Sequence, residues 1–377
     1  FRSLSHAVFE HIFRFKEFYK WTLYPESPSA KIVGKEIWFK INGTFVKQEE
    51  EFESIEETYQ IIRLLQQTNP NLKINEKKPQ AEFDLMDGTR VTMTIPPRTL
   101  VPTIVFRRFI VKKFSFEEQA NKNTIAKEDV PLFQCLAKVP LNIVIAGPVE
   151  SGKSTMLKTF FAERPKELVA ILIEEHPETY LKRDFPDRLT HEFFVRDSNI
   201  AQIIRTSLRF DHDYVIWQEV RGIEADAAID GANRGATGLL MTYHVTEEEK
   251  IAEQLAQHIV DAYPNRKYVN EVRRVAQTLH LGVTMKNLKD NTKKVISVFE
   301  FCYDYEKDEA WINFLLKYNL ITKKWEYNNN VSRKLLQKLI EFDAKIADEF
   351  LTILSERYKA WPMKNPVRPI LFKDGGR

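Results

Sequence analysis

The sequence predicts an α/β protein with a mostly parallel sheet, preceded by a smaller α+β domain and followed by a helical tail. Three observations lead to this fold class. Between residues 141 and 242, short apolar runs alternate with helical stretches, a pattern typical of strands that are buried on both faces. Before residue 112, short apolar runs are separated by turn sequences, and after residue 328 apolar residues recur at helical spacing. A chain of 377 residues is also long enough for more than one core.

The composition is that of a soluble globular protein, with 43% hydrophobic and 29% charged residues. Basic and acidic residues nearly balance, 56 against 53, so no strong net field favours nucleic acid or an acidic membrane surface. Cys135 and Cys302 are far apart and neither belongs to a Cys-x-x-Cys pair, so we expect no structural zinc. No run reaches the roughly 18 apolar residues of a spanning helix. We therefore expect a cytoplasmic protein that docks at a membrane if it acts there.

The first domain is predicted to cover residues 1–112. It opens with an amphipathic aromatic helix, for which core packing is favoured over a partner or membrane surface. A hairpin turns at Asn42-Gly43, and an acidic start precedes the next helix. The predicted segments are the aromatic helix at 4–21, the hairpin at 31–46, a helix at 52–65 and two further strands within 83–109. A polar stretch then predicts a linker over 113–135.

The second domain is predicted over 136–328, with a helical appendage over 329–377. Its parallel strands are expected at 141–146, 168–173, 214–217 and 239–242. An antiparallel hairpin is expected at the sheet edge, with strands at 278–285 and 295–305, a lysine-rich turn at 286–294 and a third strand at 311–318.

A phosphate-binding loop is the strongest local signal. An apolar strand precedes it and a helix follows it, and the two glycines, the lysine and the hydroxyl stand at the required spacing. The loop comprises Gly147, Pro148, Val149, Glu150, Ser151, Gly152, Lys153, Ser154 and Thr155. Lys153 is expected to reach the β and γ phosphates of ATP, and the Ser154 hydroxyl to ligate Mg²⁺. Glu150 is unusual in an anion-binding loop, and its side chain must point outward if the loop binds phosphate.

Acidic residues follow two later strands. Glu219 closes the run that starts at Asp213 and is expected to hold Mg²⁺ or its water. Glu174 and Glu175 end the strand 168–173, and one of the two is a candidate base for the attacking water. His244 closes the next apolar run. Taken alone, each acid is equally well explained as an ordinary strand-end charge, and a lone histidine is more often structural. Their positions after consecutive strands favour all of them together as a site.

Three arginines, Arg205, Arg209 and Arg221, lie near this cluster in sequence. A planar guanidinium can stabilise transition-state charge on the γ-phosphate. Surface ion pairing is the alternative explanation; Arg209 is the catalytic candidate among the three, and Arg205 and Arg221 are secondary candidates.

Together these motifs resemble those of the secretion traffic ATPases, the motors of type II and type IV secretion, conjugation and pilus assembly. The resemblance covers roughly 84–245. It includes an acidic "Asp box" followed by a Gly-Glu-Val-Arg-Gly strand end and a "His box". The matching residues are Asp87-Gly88-Thr89-Arg90-Val91, Ile95-Pro96-Pro97, Phe106-Arg107-Arg108-Phe109, Ile173-Glu174-Glu175, Ser207-Leu208-Arg209, Gln218-Glu219-Val220-Arg221-Gly222 and Thr242-Tyr243-His244.

The resemblance implies a RecA-like P-loop NTPase domain in a hexameric ring, with Arg107 contributed by the N-terminal domain. It implies Glu174 as catalytic base, Glu219 as the acid on the magnesium side and His244 as γ-phosphate sensor. The zinc-free branch, with conjugative type IV and tight-adherence pilus motors, fits best. The implied partners are membrane platform proteins at the inner face of the cell membrane, and an exported protein, a pilin or a protein–DNA substrate.

The chain departs from the family pattern at several positions. Glu175 stands where aspartate is usual, Gln218 replaces glycine, Val149-Glu150 replaces Thr-Gly and Val245-Thr246 replaces the residues after the histidine. A nucleotide-binding assembly scaffold with little turnover is therefore one alternative function. A DNA-translocating ring is another, against which the balanced charge argues.

Overall fold

The structure, a computed structural model, describes residues 15–68, 72–85, 87–108, 113–195, 200–207, 209–233, 238–245 and 247–370, without the side chains of 201, 204 and 205. The chain divides into two compact units, Phe1–Ile110 and Val111–Arg377, and each is described by itself.

The described α-helices are α1 (Ile55–Thr68), α2 (Phe116–Asn121), α3 (Val130–Lys138), α4 (Lys153–Glu163), α5 (Leu181–Asp184), α6 (Ile200–Ser207), α7 (Glu224–Asn233), α8 (Lys250–Ala262), α9 (Tyr268–Thr278), α10 (Arg333–Phe342) and α11 (Ala344–Ala360). The described strands are β1 (Ser29–Val33), β2 (Glu36–Ile41), β3 (Thr44–Glu51), β4 (Gln80–Asp84), β5 (Arg90–Thr94), β6 (Thr103–Arg107), β7 (Asn142–Ala146), β8 (Ala170–Glu174), β9 (Thr190–Phe194), β10 (Tyr214–Val220), β11 (Gly238–Tyr243), β12 (Leu281–Asn287), β13 (Lys293–Asp304), β14 (Glu309–Asn319), β15 (Lys324–Tyr327) and β16 (Val367–Ile370).

The first unit is an α+β sheet of six antiparallel strands in the order β3-β2-β1-β6-β5-β4. Asn42 and Gly43 both have positive φ, 51° and 85°, which is the geometry of a primed hairpin turn, so the hairpin predicted there is confirmed. The helix predicted at 52–65 is α1. Three strands, rather than two, occupy the later part of the unit, because β4 and β5 form a hairpin of their own before β6.

The aromatic segment at the start of the described chain packs into the core of the first unit. Its described part forms a 3₁₀-helix, Lys16–Leu23, rather than the predicted α-helix, and residues 4–14 lie outside the described part. Phe18 and Trp21 are 5% and 4% exposed, and their rings contact Phe106. Core packing therefore explains these two aromatic residues.

The second unit is built on a ten-stranded sheet with a parallel block. Strands β12, β7, β11, β10, β8 and β9 lie side by side and are parallel, and the antiparallel strands β13, β14 and β15 continue the sheet. Every residue of β7 and β8 is buried, which explains their continuous apolar sequences. The mostly parallel α/β fold is confirmed. The predicted hairpin is β12–β13, but it lies inside the sheet, because β12 pairs with β7 and β14 extends β13.

The stretch predicted as a linker over 113–135 is folded into the second unit. Ser115 and Glu118 form a reciprocal capping box at the start of α2, which accounts for part of its polar sequence. Phe116 and Phe133 are fully buried or nearly so, and their rings contact Phe160 of α4. Most polar side chains of this stretch are exposed, which is why it resembled a linker in sequence, whereas Gln119, Thr124 and Asp129 are buried.

The C-terminal residues also belong to the second unit rather than to a separate appendage. Helices α10 and α11 appear where a helical tail is predicted. Arg357 of α11 donates to Asp129, which lies just before α3, and Asp129 also accepts from Tyr327. After α11 the chain adds β16 to β14. Within the described residues, no helix is both long and apolar enough to cross a membrane.

Candidate nucleotide-binding site

The phosphate loop connects β7 to α4, at the end of the sheet where the parallel strands finish. Gly147 has φ 151°, and a Cβ at this residue would lie 2.2 Å from the carbonyl oxygen of Met285 in β12. Gly152 has φ 94° and directly precedes α4, which begins at Lys153. Backbone amides of such a loop and of the helix N-terminus form an anion-binding site. The Ser151 Oγ is buried and has no hydrogen-bond partner among the described residues. A polar ligand bound in the loop would provide such a partner.

Replacing Gly147 by alanine is expected to destabilise the second unit by about 2–4 kcal/mol, because the Cβ would force apart the loop and β12 in addition to straining φ. Gly231, a helical glycine of α7 with open space around its Cα, is the matched control. Gly231→Ala should stabilise the unit slightly, by about 0.5–1 kcal/mol. Urea unfolding followed by tryptophan fluorescence measures both. Equal urea midpoints of unfolding for the two variants would show that the close approach of Gly147 to β12 does not affect stability.

Glu150 adopts a left-handed backbone conformation, with φ 60°, where the family pattern has glycine. Its side chain is exposed, so the carboxylate does not enter the loop. The Nζ of Lys293, the first residue of β13, donates to the Glu150 carbonyl. The ammonium of Lys293, from the β12–β13 hairpin, thus stabilises Glu150, the loop residue with the least favourable backbone conformation.

The Lys153 ammonium lies at the mouth of the loop. Its Nζ donates to the carbonyl oxygens of Gly147 at 2.9 Å and Pro148 at 2.8 Å, and it lies 3.4 Å from His244 Nδ1. Burial lowers the pKa of Lys153 to about 8, while the nearby Glu219 acts in the opposite direction. The lysine is therefore held in place before any phosphate binds.

Glu219 lies at the centre of an ion cluster. Its carboxylate contacts His244 Nε2 at 2.5 Å and Arg221 Nη2 at 2.5 Å, and its backbone N–H donates to Thr242 Oγ1 at 2.7 Å. Glu219 has φ 66°, at a register shift where β10 and β11 end their pairing. Burial, followed by the charge of Lys153, lowers the pKa of His244. The cluster links the ends of β10 and β11 to the phosphate loop through Lys153.

Gln218 is a site residue that motif reasoning noted only as a departure from glycine. It is 6% exposed, and its Nε2 donates to the Ser154 Oγ at 2.6 Å. The side chain that contacts the predicted magnesium ligand is therefore Gln218, whereas Glu219 points to His244 and Arg221. Gln218 lies on β10, two strands away from β7, which leads into the loop. The sequence alone does not specify this strand order, so it does not reveal the contact.

Glu174 and Glu175 differ sharply in their environments. Glu174, at the end of β8, is 3% exposed and accepts from Thr179 N at 3.2 Å and Thr179 Oγ1 at 2.9 Å. Burial raises the pKa of Glu174 to about 7, although the Thr179 donors act in the opposite direction. The Glu175 side chain is 64% exposed, 3.6 Å from His176 and 4.0 Å from Arg221. Glu174 is the carboxyl group that has the pKa of a base near neutral pH.

Of the two arginine candidates whose side chains are described in the second unit, one joins the ion cluster. Arg221 joins the Glu219 cluster, whereas Arg209 is exposed just after α6. The Arg205 side chain lies outside the described residues. Arg107 is exposed at the end of β6 in the first unit.

The Ser154 hydroxyl, which accepts from Gln218, is an oxygen donor of the kind that suits magnesium, a metal that usually keeps several waters and takes only one or two protein ligands beside phosphate oxygens. Among the described residues, no three or more His, Cys, Asp or Glu side chains cluster in a way that could hold a metal. When bound with nucleotide, magnesium neutralises charge on the β and γ phosphates.

The fold and the loop define a RecA-like P-loop NTPase domain, carried by a chain with a smaller α+β unit before it. A family profile described as "Type II/IV secretion system protein" matches residues 33–295, which is more than half of the chain. The chain belongs to this family of secretion system proteins, and the resemblance to the secretion traffic ATPases is confirmed.

Individual relatives are more distant. The type IV secretion system protein VirB11 of Bartonella quintana is 25% identical over 223 residues, which cover 48% of this chain and 62% of that protein. The VirB11 protein of Brucella suis is 30% identical over 173 residues, 43% of this chain and 47% of that protein. The chain thus spans less than two thirds of the length of these relatives.

Two solved structures share the fold. The ATPase DotB of Legionella pneumophila aligns with a TM-score of 0.55 at 16% identity, covering 92% of this chain and 89% of that chain. The pilus retraction motor PilT with bound ADP aligns with a TM-score of 0.54 at 16% identity, covering 93% and 95%. At this identity the likeness supports the fold alone.

Proposed function

We propose that this protein is a motor ATPase that hydrolyses ATP to drive type IV secretion, conjugative transfer or pilus assembly. The observation that carries the proposal is the convergence of three groups at one end of the parallel sheet. These are the phosphate loop with Lys153, the buried carboxyl of Glu174 and the linked side chains of Glu219 and His244. All three groups lie at the carboxyl ends of parallel strands, and α/β proteins bind their ligands at this end of the sheet.

Each group has a separate task in the proposed reaction. The loop amides and the Lys153 ammonium bind the phosphates of ATP, and Ser154 provides the hydroxyl for the metal. Glu174 accepts a proton from the attacking water, since its pKa of about 7 suits a general base. His244 contacts both Lys153 and Glu219, so it can report the state of the phosphate site to the end of β10.

The assembly and the partners are proposed from the family. The chain would form a homo-hexameric ring at the cytoplasmic face of the membrane, and would act with membrane platform proteins on an exported protein, a pilin or a protein–DNA substrate. Closure of the N-terminal domain on ATP and release after hydrolysis would supply the motion. The arginines Arg107 and Arg209 are proposed to stabilise phosphate charge in the assembled ring.

Magnesium-dependent phosphate release from ATP tests the motor function. The rate of phosphate release per subunit should rise with protein concentration, in parallel with the molar mass. The reason is that an ATPase whose active sites need residues of two neighbouring subunits is active only in the assembled ring. Light scattering and phosphate release on the same samples measure both quantities. Turnover that is already maximal in the monomer would contradict the ring.

A nucleotide-binding scaffold with little turnover is the second candidate function. It is favoured by two observations: both Glu219 oxygens contact side chains of the protein, Arg221 and His244, and Gln218 replaces the usual glycine. Tight ATP binding and a formed ring without phosphate release would support the scaffold over the motor.

A further inference from the structure

Gln218 offers an unused hydrogen-bond acceptor next to the phosphate loop. Gln218 is 6% exposed. Only the nitrogen of its amide makes a hydrogen bond, in which Nε2 donates to Ser154 Oγ at 2.6 Å. The amide oxygen, Oε1, is buried and receives no hydrogen bond from any described group. Leaving a buried amide oxygen without a donor is unfavourable, so a donor that arrives with a ligand would be bound favourably.

The surroundings of Gln218 indicate which donor that is. In the parallel pairing of β10 with β8, Gln218 lies directly opposite Glu174, and side chains at paired positions project from the same face of a sheet. The amide therefore lies between the candidate base and the helix that carries Ser154. Water molecules bound to a divalent cation are strong hydrogen-bond donors, and magnesium retains several of them when it binds with phosphates.

Glu219, the residue at which the family pattern places this task, is engaged elsewhere. One of its oxygens contacts His244 and the other contacts Arg221, both at 2.5 Å. Its backbone departs from the regular strand, with φ 66°, whereas Gln218 still pairs with β8. The carboxylate of Glu219 is thus occupied by the imidazole of His244 and the guanidinium of Arg221, and the amide of Gln218 is the polar group that reaches Ser154.

We infer that Gln218 is the positioning residue of the magnesium site: its amide orients the Ser154 hydroxyl, and its Oε1 accepts a hydrogen bond from a water bound to the metal. This inference rests on the proposed nucleotide site. Gln218 contacts a metal ligand and a coordinated water rather than the reacting atoms, so its loss affects the contribution of magnesium to nucleotide binding before it affects chemistry.

The test measures ADP affinity with magnesium and with EDTA, and takes the ratio of the two dissociation constants as the magnesium gain. Gln218→Met keeps the length of the side chain and removes both the Oε1 acceptor and the Nε2 donor. It should lower the magnesium gain about tenfold, the effect of one lost hydrogen bond to a charged group, and should leave the affinity in EDTA within about twofold of the wild type. Gln218→Glu keeps an acceptor at the same place and should retain the gain.

The chain contains a matched control, a glutamine of α2 that bonds to a hydroxyl of the same helix α4. Gln119 is 3% exposed, and its Nε2 donates at 2.9 Å to Thr159 Oγ1, so it too is a buried amide bonded to a hydroxyl of α4, but outside the loop. Gln119→Met should lower the thermal unfolding temperature and leave the magnesium gain unchanged. If Gln218→Met does not fold, Gln218→Gly, which restores the usual glycine of the family, should lower the gain in the same direction.

Four outcomes would count against the inference or its basis. A normal gain in Gln218→Met would overturn the inference, and so would an equal loss in Gln218→Met and Gln218→Glu, because the acceptor retained in Gln218→Glu would then contribute nothing. An equal loss in the Gln119 and Gln218 variants would trace the effect to damage of α4. A wild-type protein that shows no magnesium gain at all would instead overturn the proposed nucleotide site itself.

Discussion

Replacing Lys153 by alanine is expected to weaken ATP and ADP binding at least about a hundredfold and to abolish turnover. The ammonium is fixed at the loop mouth by the Gly147 and Pro148 carbonyls, so phosphates that enter meet a cation already in place. Hydrogen bonds to charged groups contribute about 1.5–3 kcal/mol each, and two such bonds lost correspond to a hundredfold or more in affinity. Isothermal titration calorimetry with ADP and Mg²⁺ measures the change.

Lys158 provides the control for this experiment. It lies on the same helix, its side chain is fully buried, and it pairs with Asp184 away from the loop. Lys158→Met should reduce thermal stability and retain nucleotide affinity. If the two variants lose affinity to the same extent, the loss reflects damage to α4, and the assignment of Lys153 to the phosphates is incorrect.

The Lys153 site also predicts a pH dependence. Because burial lowers the pKa of Lys153 to about 8, the free protein loses this positive charge as the pH rises beyond 8. Wild-type affinity for ADP should therefore decline above pH 8, and the alanine variant should show no such decline. A parallel decline in both proteins would assign the pH effect to another group.

The parts of this site that are contiguous in sequence could be predicted, whereas contacts between strands could not. The loop, its preceding strand and the helix that begins at Lys153 are one local unit, in which glycine spacing fixes the backbone. The bond between Gln218 and Ser154 joins residues 64 positions apart, and the bond between Lys293 and Glu150 joins residues 143 positions apart. Both depend on the order of strands in the sheet, which periodicity does not specify.

The same limit explains the differences in the fold. Phe116 is surrounded in sequence by polar residues that cap and face solvent, so its burial against Phe160 could not be recognised from composition. Strand β16 has four residues, of which Pro369 cannot donate to a ladder, and only pairing with β14 makes it a strand. Long, strongly periodic elements such as α1 and α11 could be predicted from the sequence, because their apolar residues recur at regular helical spacing.

Replacing Glu174 by glutamine is the second change with a large expected effect. Phosphate release should fall by a factor of about 10²–10⁴, the usual contribution of a general base, while ATP affinity stays within about threefold of the wild type. Glutamine keeps the size of the side chain and can still accept from Thr179, so the end of β8 should keep its structure. Single-turnover phosphate release and equilibrium ATP binding separate the two quantities.

The pH profile should identify the group that acts. A general base must be ionised, so wild-type turnover at saturating ATP should rise with pH and reach half its maximum near pH 7, where burial places the pKa of Glu174. The Thr179 hydroxyl stabilises the carboxylate form, so Thr179→Val should raise this pKa further and move the midpoint to higher pH.

Glu175→Gln decides between the two neighbouring acids. Glu175 is mostly exposed, so its loss removes little beyond weak contacts to His176 and Arg221, and turnover with its usual pH midpoint should persist. If Glu175→Gln stops phosphate release and Glu174→Gln does not, Glu175 is the base and the buried carboxyl has a structural role at the end of β8. A loss in neither variant, in protein that binds ATP and assembles, would mean that the attacking water is activated without either carboxylate.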